Sequence, residues 1–236
     1  RRKMRCIPFV HEVSAAIAVE YFNESNGSER AFALVTAGPG VSNVITAMSG
    51  AWLESRELLV IAGQVKSTDL ATNGIRQRGI QEIDGVGLTK AISKESIQVR
   101  TPIAKTKFFQ SVLLGRQGRP GPVFIEFCLD AQGAAPLPAE ESDSSQSRIV
   151  VGDEVNQIIN AIAGKLRFAR RPILLLGGGI SRAATNSVGI ELQGLTVPIM
   201  TTWNAADRVD SRNANYFGRP NTWGQRSANL LLAQAD

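Results

Sequence analysis

The chain has 236 residues, enough for one large or two modest domains, and its 43% hydrophobic and 6% aromatic content is ordinary for an α/β protein. Its net charge of +5 is scattered along the sequence with no aromatic platform beside it, which argues against a nucleic-acid partner. No apolar run reaches the roughly 18 residues that a membrane span requires, and no signal-peptide pattern is present, so no membrane partner and a cytoplasmic location are expected.

The elements alternate between strand and helix. Residues 4 to 10 read as a first strand, and 12 to 23 as a helix with Val13, Ala16, Ile17 and Tyr21 on one face. "AFALVT" (31 to 36) is a short continuous apolar strand of the kind a buried parallel sheet uses. "AGPG" breaks it, and a helix runs from about Val41 to Glu54, with Val41, Val44, Ile45, Met48 and Trp52 spaced to face the sheet. "LLVIAG" (58 to 63) is the next strand. Residues 64 to 90 show no steady period and form a long loop, a feature often tied to function. A helix near 102 to 114 and the strand "PVFIEF" (122 to 127) close this unit.

"DAQGAAPLPAEESDSSQSR" (130 to 148) exchanges apolar periods for Pro, Ala, Ser and acids. The expected domains are therefore 1–130, a linker over 131–150, and 151–236. In the last, a helix near 153 to 169 carries Val155, Ile158, Ile159, Ile162 and Leu166. The strand "PILLLG", the turn "GGIS", a helix, the strand "VPIMTT" and a helix-like "SANLLLAQA" follow. The expected fold class is α/β, two successive doubly wound parallel-sheet units, the second cut short.

Three places could carry chemistry. Glu12 lies where the first strand turns into a helix, and a carboxylate there is either a cap favoured by the helix dipole or a buried acid with a use. "TAGPGVSN" (36 to 43) joins a strand to a helix. Its glycines would let backbone approach a ligand, although the spacing is neither a phosphate loop nor a dinucleotide fingerprint. "LLLGGGIS" (174 to 181) has the same setting and resembles half of a dinucleotide fingerprint, or a plain tight turn. Cys6 and Cys128 sit in apolar runs and are expected to be buried free thiols. With His11 the single histidine, no set of metal-ligand spacing is present.

Taken in order, the pieces form a pattern: His11-Glu12, Thr36 to Asn43, Gly63-Gln64-Val65, Gln81-Glu82-Ile83-Asp84, and Gly118 to Val123. This resembles the pyrimidine-binding domain of thiamine diphosphate enzymes, above all the acetolactate (acetohydroxyacid) synthases. There the order runs H-E, T-S-G-P-G-x-x-N, G-Q-V, F-Q-E-x-D, G-R-P-G-P-V. "RRPILLLGGGISRA" and "YFGRPNTWGQRSANLLLAQAD" are similar to stretches of that family's central domain, so the resemblance covers almost the whole chain.

The resemblance implies decarboxylation and carboligation of 2-keto acids such as pyruvate, with thiamine diphosphate and Mg²⁺ as cofactors. It implies that Glu12 activates the cofactor by bonding a ring nitrogen of its aminopyrimidine, with burial tuning the acid. Gln81 would orient substrate, and His11 would have a packing role. Thr36, Gly38, Pro39, Gly40 and Asn43 would line the pyrimidine pocket. Gly177, Gly178 and Gly179 would approach FAD, which the synthases often bind. The counterpart of the family's second FAD segment reads Gly218-Arg219-Pro220-Asn221-Thr222-Trp223-Gly224 and departs from it. Ile80 stands where the synthases have phenylalanine, which leaves a 2-hydroxyacyl-CoA lyase or an aryl-keto-acid decarboxylase as alternatives. The G-D-G…N motif that holds Mg²⁺ is absent from this sequence, so no metal ligand is assigned here, and a noncatalytic nucleotide-binding module is a further alternative. The resemblance further implies an internal fragment, its first unit lacking the family's N-terminal strand, inactive alone, of a protein that is a homodimer or homotetramer.

Overall fold

The computed structural model describes residues 4–25, 29–72, 74–138 and 152–236. They divide into two compact units, residues 1–143 and 144–236.

In the first unit, helix α1 (Glu12–Ser25) leads to strand β1 (Ala33–Val35), helix α2 (Pro39–Leu53) and strand β2 (Leu58–Gln64). After a long loop come α3 (Gly85–Thr89), β3 (Glu95–Val99), α4 (Lys105–Leu114), β4 (Pro122–Cys128) and the short α5 (Leu129–Gly133). The four strands form one parallel sheet in the order β1-β2-β4-β3. β4 is inside the sheet and covered on both faces, which is why "PVFIEFC" is almost continuously buried, whereas β2 alternates between buried and half-buried residues. On one face Val41, Val44, Ala47, Met48 and Ala51 of α2 pack with Ala16 and Val19 of α1 onto Leu58, Val60 and Phe124. On the other, Phe108 of α4 packs on Val123, Ile125 and Val99. Helices on both faces of a parallel sheet make the unit doubly wound.

Several expectations are corrected. Residues 4–10 form no strand: β1 is paired on one side only, by β2, and Met4, Ile7, Phe9 and Val10 are exposed. Cys6 shares this exposed segment, and only Cys128 is a buried thiol. β3 was not anticipated, because "ESIQV" sits at the sheet edge half-buried, with Glu95, Ser96 and Gln98 beside Ile97 and Val99. Trp52 of α2 is exposed.

The buried face of α1 is Ala16, Val19, Glu20 and Asn23, while Ile17 and Tyr21 are exposed. The rotation follows from polar anchors. Asn23 exchanges two hydrogen bonds with Ala31 (2.8 and 3.1 Å), and Arg56 donates to Glu20 at 3.0 Å while lying 4.6 Å from the Tyr21 ring centroid. Burial pushes the Glu20 carboxyl up despite the pull of Arg56.

The second unit contains α6 (Asp153–Leu166), β5 (Leu174–Leu176), α7 (Arg182–Ser187), α8 (Gly189–Gly194), β6 (Ile199–Thr201) and α9 (Arg226–Gln234). β5 and β6 pair in parallel, and Leu176, Ile199 and Val209 form a small core with Tyr216 against it. The amphipathic α6 holds Val155, Ile158, Ile159, Ile162 and Leu166 in solvent. The expected linker begins inside α5, and residues 139–150 of it lie outside the described set.

Candidate active site

Glu12 opens α1. His11 precedes it, exposed, and its Nδ1 accepts the Val13 N–H at 3.3 Å, so the histidine caps the helix instead of packing. The first turn of α2 begins at Pro39, whose missing N–H and fixed φ suit a first helical position. That turn places Asn43 so that its Nδ2 donates to Glu12 Oε2 at 3.0 Å. The start of α1 and the second turn of α2 therefore meet at one carboxylate, 31 residues apart in sequence. Glu12 is half-buried, and the Asn43 hydrogen bond holds its carboxyl below the ordinary range, outweighing a smaller upward push from burial. The expectation that burial tunes this acid is thus corrected: donation from Asn43 does.

Gly38 has φ +66°, a conformation that L side chains rarely adopt, and its O accepts Ser42 N at 3.0 Å. A Cβ on Gly38 would lie 2.4 Å from Gln81 O and 2.9 Å from Gln81 Cβ. A Cβ on Gly40 would lie 2.7 Å from Thr36 Oγ1. Both glycines therefore mark close contacts, one with the long loop and one with the end of the β1 strand segment. Gln81 itself is exposed and has φ +59°, uncommon for a residue with a side chain.

That conformation is held from behind. The Glu82 carboxylate accepts three backbone N–H groups: Ala71, Arg78 at 2.8 Å and Gly79 at 3.1 Å. These donors, Ala71 first, keep its carboxyl below the ordinary range. Gln64 Nε2, at the end of β2, donates to Ile83 O at 3.0 Å, and Asp84 accepts Gly87 N at 2.8 Å to cap α3. The structure thus brings Glu12, Asn43, Thr36, Gly38, Pro39, Gly40 and Gln81 to one end of the sheet, past the C-terminal ends of β1 and β2, where open parallel sheets bind ligands. Sequence reasoning gave no role to Glu82 or Gln64. Their presence inside recognised motifs was the available signal.

Gly177, Gly178 and Gly179 follow β5 in the second unit. The turn closes with Ile180 N on Gly177 O (3.2 Å), and Arg208 Nε donates to Ile180 O at 2.7 Å. Gly178 packs against Asn204, and positions 177 and 179 have open space where a Cβ would sit. Among the described residues, no group of three or more His, Cys, Asp or Glu could hold a metal ion, and no helix is long and apolar enough to cross a membrane.

Comparison with known proteins agrees with this geometry. Residues 1–88 match the family model of the thiamine pyrophosphate enzyme N-terminal TPP binding domain, and residues 159–236 match that of the central domain. The chain is 28% identical to a probable acetolactate synthase large subunit of Methanococcus aeolicus, over 96% of this chain and 38% of that protein. It is 28% identical to the mitochondrial acetolactate synthase catalytic subunit of Saccharomyces cerevisiae (96% and 34%) and 28% identical to the isozyme 1 large subunit of Escherichia coli (96% and 39%). The chain therefore spans well under half the length of these relatives. Matched at both ends by successive domains of one family, with the residues of its first-domain motif gathered at one end of the sheet, the chain belongs to the thiamine pyrophosphate enzymes.

Proposed function

We propose that the protein carries out thiamine diphosphate-dependent decarboxylation and carboligation of 2-keto acids, as an acetolactate synthase does. The observation that carries the reading is the Glu12 carboxylate held by Asn43 beside a glycine turn that is closed by Gln81. These residues fit an aminopyrimidine. A carboxyl group can share a proton with a ring nitrogen, and the half-buried Glu12 is held by the Asn43 amide at the end of the sheet where such a ring would sit. When bound, thiamine diphosphate supplies the carbanion chemistry, accepting the electrons left when carbon dioxide departs.

In this reading Glu12 holds a proton against the ring nitrogen. Asn43, donating to Glu12 Oε2 at 3.0 Å, fixes the orientation of the carboxyl for that contact. Gln81, exposed at the rim, orients the substrate carbonyl, and Thr36, Gly38, Pro39, Gly40 and Asn43 wall the pocket. Mg²⁺ is proposed to hold the diphosphate through residues other than those described here. FAD against Gly177, Gly178 and Gly179 is supported by the open space at 177 and 179, although the helix that follows has six residues and a correspondingly small dipole. Pyruvate as substrate, a homodimer or homotetramer and a cytoplasmic location complete the proposal.

Isothermal titration of the full-length protein tests it. Mg²⁺-dependent binding of thiamine diphosphate is expected, with acetolactate formed from pyruvate and turnover lost in Glu12→Gln. Absence of binding, or undiminished turnover in Glu12→Gln, would sink the reading. An aldehyde as sole product would redirect it to a decarboxylase.

A further inference from the structure

The sheet contains one fully buried carboxylate that the proposed chemistry does not use. Glu126, in the middle of β4, is 0% exposed and lies opposite Ala62 of β2 and Gln98 of β3. It forms no ion pair among the described residues. Amides from both neighbouring strands reach it instead: Gln98 Nε2 donates to Oε1 at 2.6 Å, and Gln64 Nε2 approaches Oε2 at 3.5 Å. Burial pushes its carboxyl up, with the Gln98 and Gln64 amides opposing. A buried carboxylate with amide partners alone is costly, so its surroundings show what it organises.

Gln64 is itself buried, and its orientation is fixed because its Oε1 accepts Val65 N at 2.9 Å. Its Nε2 then serves both Glu126 and Ile83 O, the latter at 3.0 Å. The loop carrying Gln81 also reaches Glu126 directly. A Cβ on Gly85 would stand 2.5 Å from Glu126 Oε2, so the loop end is seated against the carboxylate at a distance that only glycine allows. Ile83 and Gly85 follow Gln81 by two and four residues, and Gln81 abuts Gly38.

We propose that Glu126 is a positioning residue: it aims the Gln64 amide at Ile83 O and seats Gly85, and so fixes the loop that presents Gln81. That this matters to turnover rests on the reading of Gln81 given above. That it positions the loop does not, and the test needs no cofactor.

Hydrogen–deuterium exchange of the chain, followed in peptides over 78–88 and separately in β2, β4 and α2, reads the effect. Gln64→Met removes the donor and is expected to speed exchange of the loop amides about five- to tenfold, the ratio for one lost hydrogen bond, with α2 unchanged. The paired exchange Gln64→Glu with Glu126→Gln rebuilds a donor–acceptor pair between β2 and β4 but leaves Ile83 O without its side-chain donor. It should restore the thermal midpoint relative to Glu126→Gln alone while loop exchange stays fast. Recovery of both together would reduce Glu126 to a buried pair that merely stabilises the sheet. Unchanged exchange over 78–88 in Gln64→Met would overturn the proposal, even if Glu126→Gln alone does not fold.

Discussion

Gly38→Ala isolates the contact on which the site is built. The substitution adds one methyl group, and two penalties follow from the structure. Holding a residue with a Cβ at φ +66°, ψ −115°, outside the left-handed helical well and in a region nearly reserved for glycine, costs about 1–3 kcal/mol. The new Cβ would also stand 2.4 Å from Gln81 O, a backbone atom that can yield only by moving the loop. Overpacking of this kind adds roughly 1–3 kcal/mol, for a total of about 2–6 kcal/mol. Gly74 supplies the control: it has φ +79° but nothing within 4 Å of a built Cβ, so Gly74→Ala carries a positive-φ penalty of about 1–3 kcal/mol and no overpacking. At about 3 °C per kcal/mol for a chain of this size, Gly38→Ala should lower the thermal midpoint of the first unit by about 6–18 °C and Gly74→Ala by about 3–9 °C. Differential scanning calorimetry of both variants gives the comparison. Equal shifts would mean that the Gly38–Gln81 contact is not tight and that the loop does not rest on the turn.

Two further outcomes are expected. The folded-state pKa of Glu12 lies below its ordinary value, so the stabilisation from Asn43 is complete above the unfolded pKa and is lost as pH falls through the folded one. Asn43→Ala should therefore move the Glu12 titration, followed by carboxyl carbon NMR, to higher pH; an unmoved midpoint would refute the role given to that bond. Arg56→Met strands the Glu20 carboxylate, whose side chain is 6% exposed, and should cost about 3 kcal/mol in urea unfolding, the low end for a broken buried pair because Arg56 is itself 14% exposed. Adding Glu20→Gln should recover most of that loss, and failure to recover it would locate the damage in the packing of Tyr21 instead.

The parts legible in sequence were those whose physics is local. β2 and β4 read correctly because both sit inside the parallel sheet and are mostly apolar, Glu126 and Gln64 apart, and α2 because its apolar residues repeat at helical spacing. Residues 4–10 misled for the complementary reason: an apolar run forms a strand only beside a partner, and none pairs with it here. β3 went unseen because an edge strand need not be apolar. The face of α1 was misjudged because a buried Glu20 counts as polar in any periodicity until Arg56, 36 residues away, is known to meet it. At the site, motif order announced Glu12, Gly38, Asn43 and Gln81. Neither the left-handed backbone of Gln81 nor the three N–H groups gathered by Glu82 leaves a mark on residue type, since backbone donors are the same everywhere.

The placement of β4 between β2 and β3 also sets an order in time. Leu58 pairs with Pro122, and Gln64 meets Glu126 across 62 residues, so the middle of the sheet closes only through distant contacts. Pairings of that separation slow folding, because the intervening chain must be ordered before they form. During synthesis the carboxylate of Glu12 and the amide of Asn43, 31 residues apart, both emerge before Glu126 and can meet first. The seat of the Gln81 loop cannot exist until β4 has been made. One wall of the pocket is thus available to a nascent chain long before the other, and a chain halted before residue 126 would hold the acid without its rim.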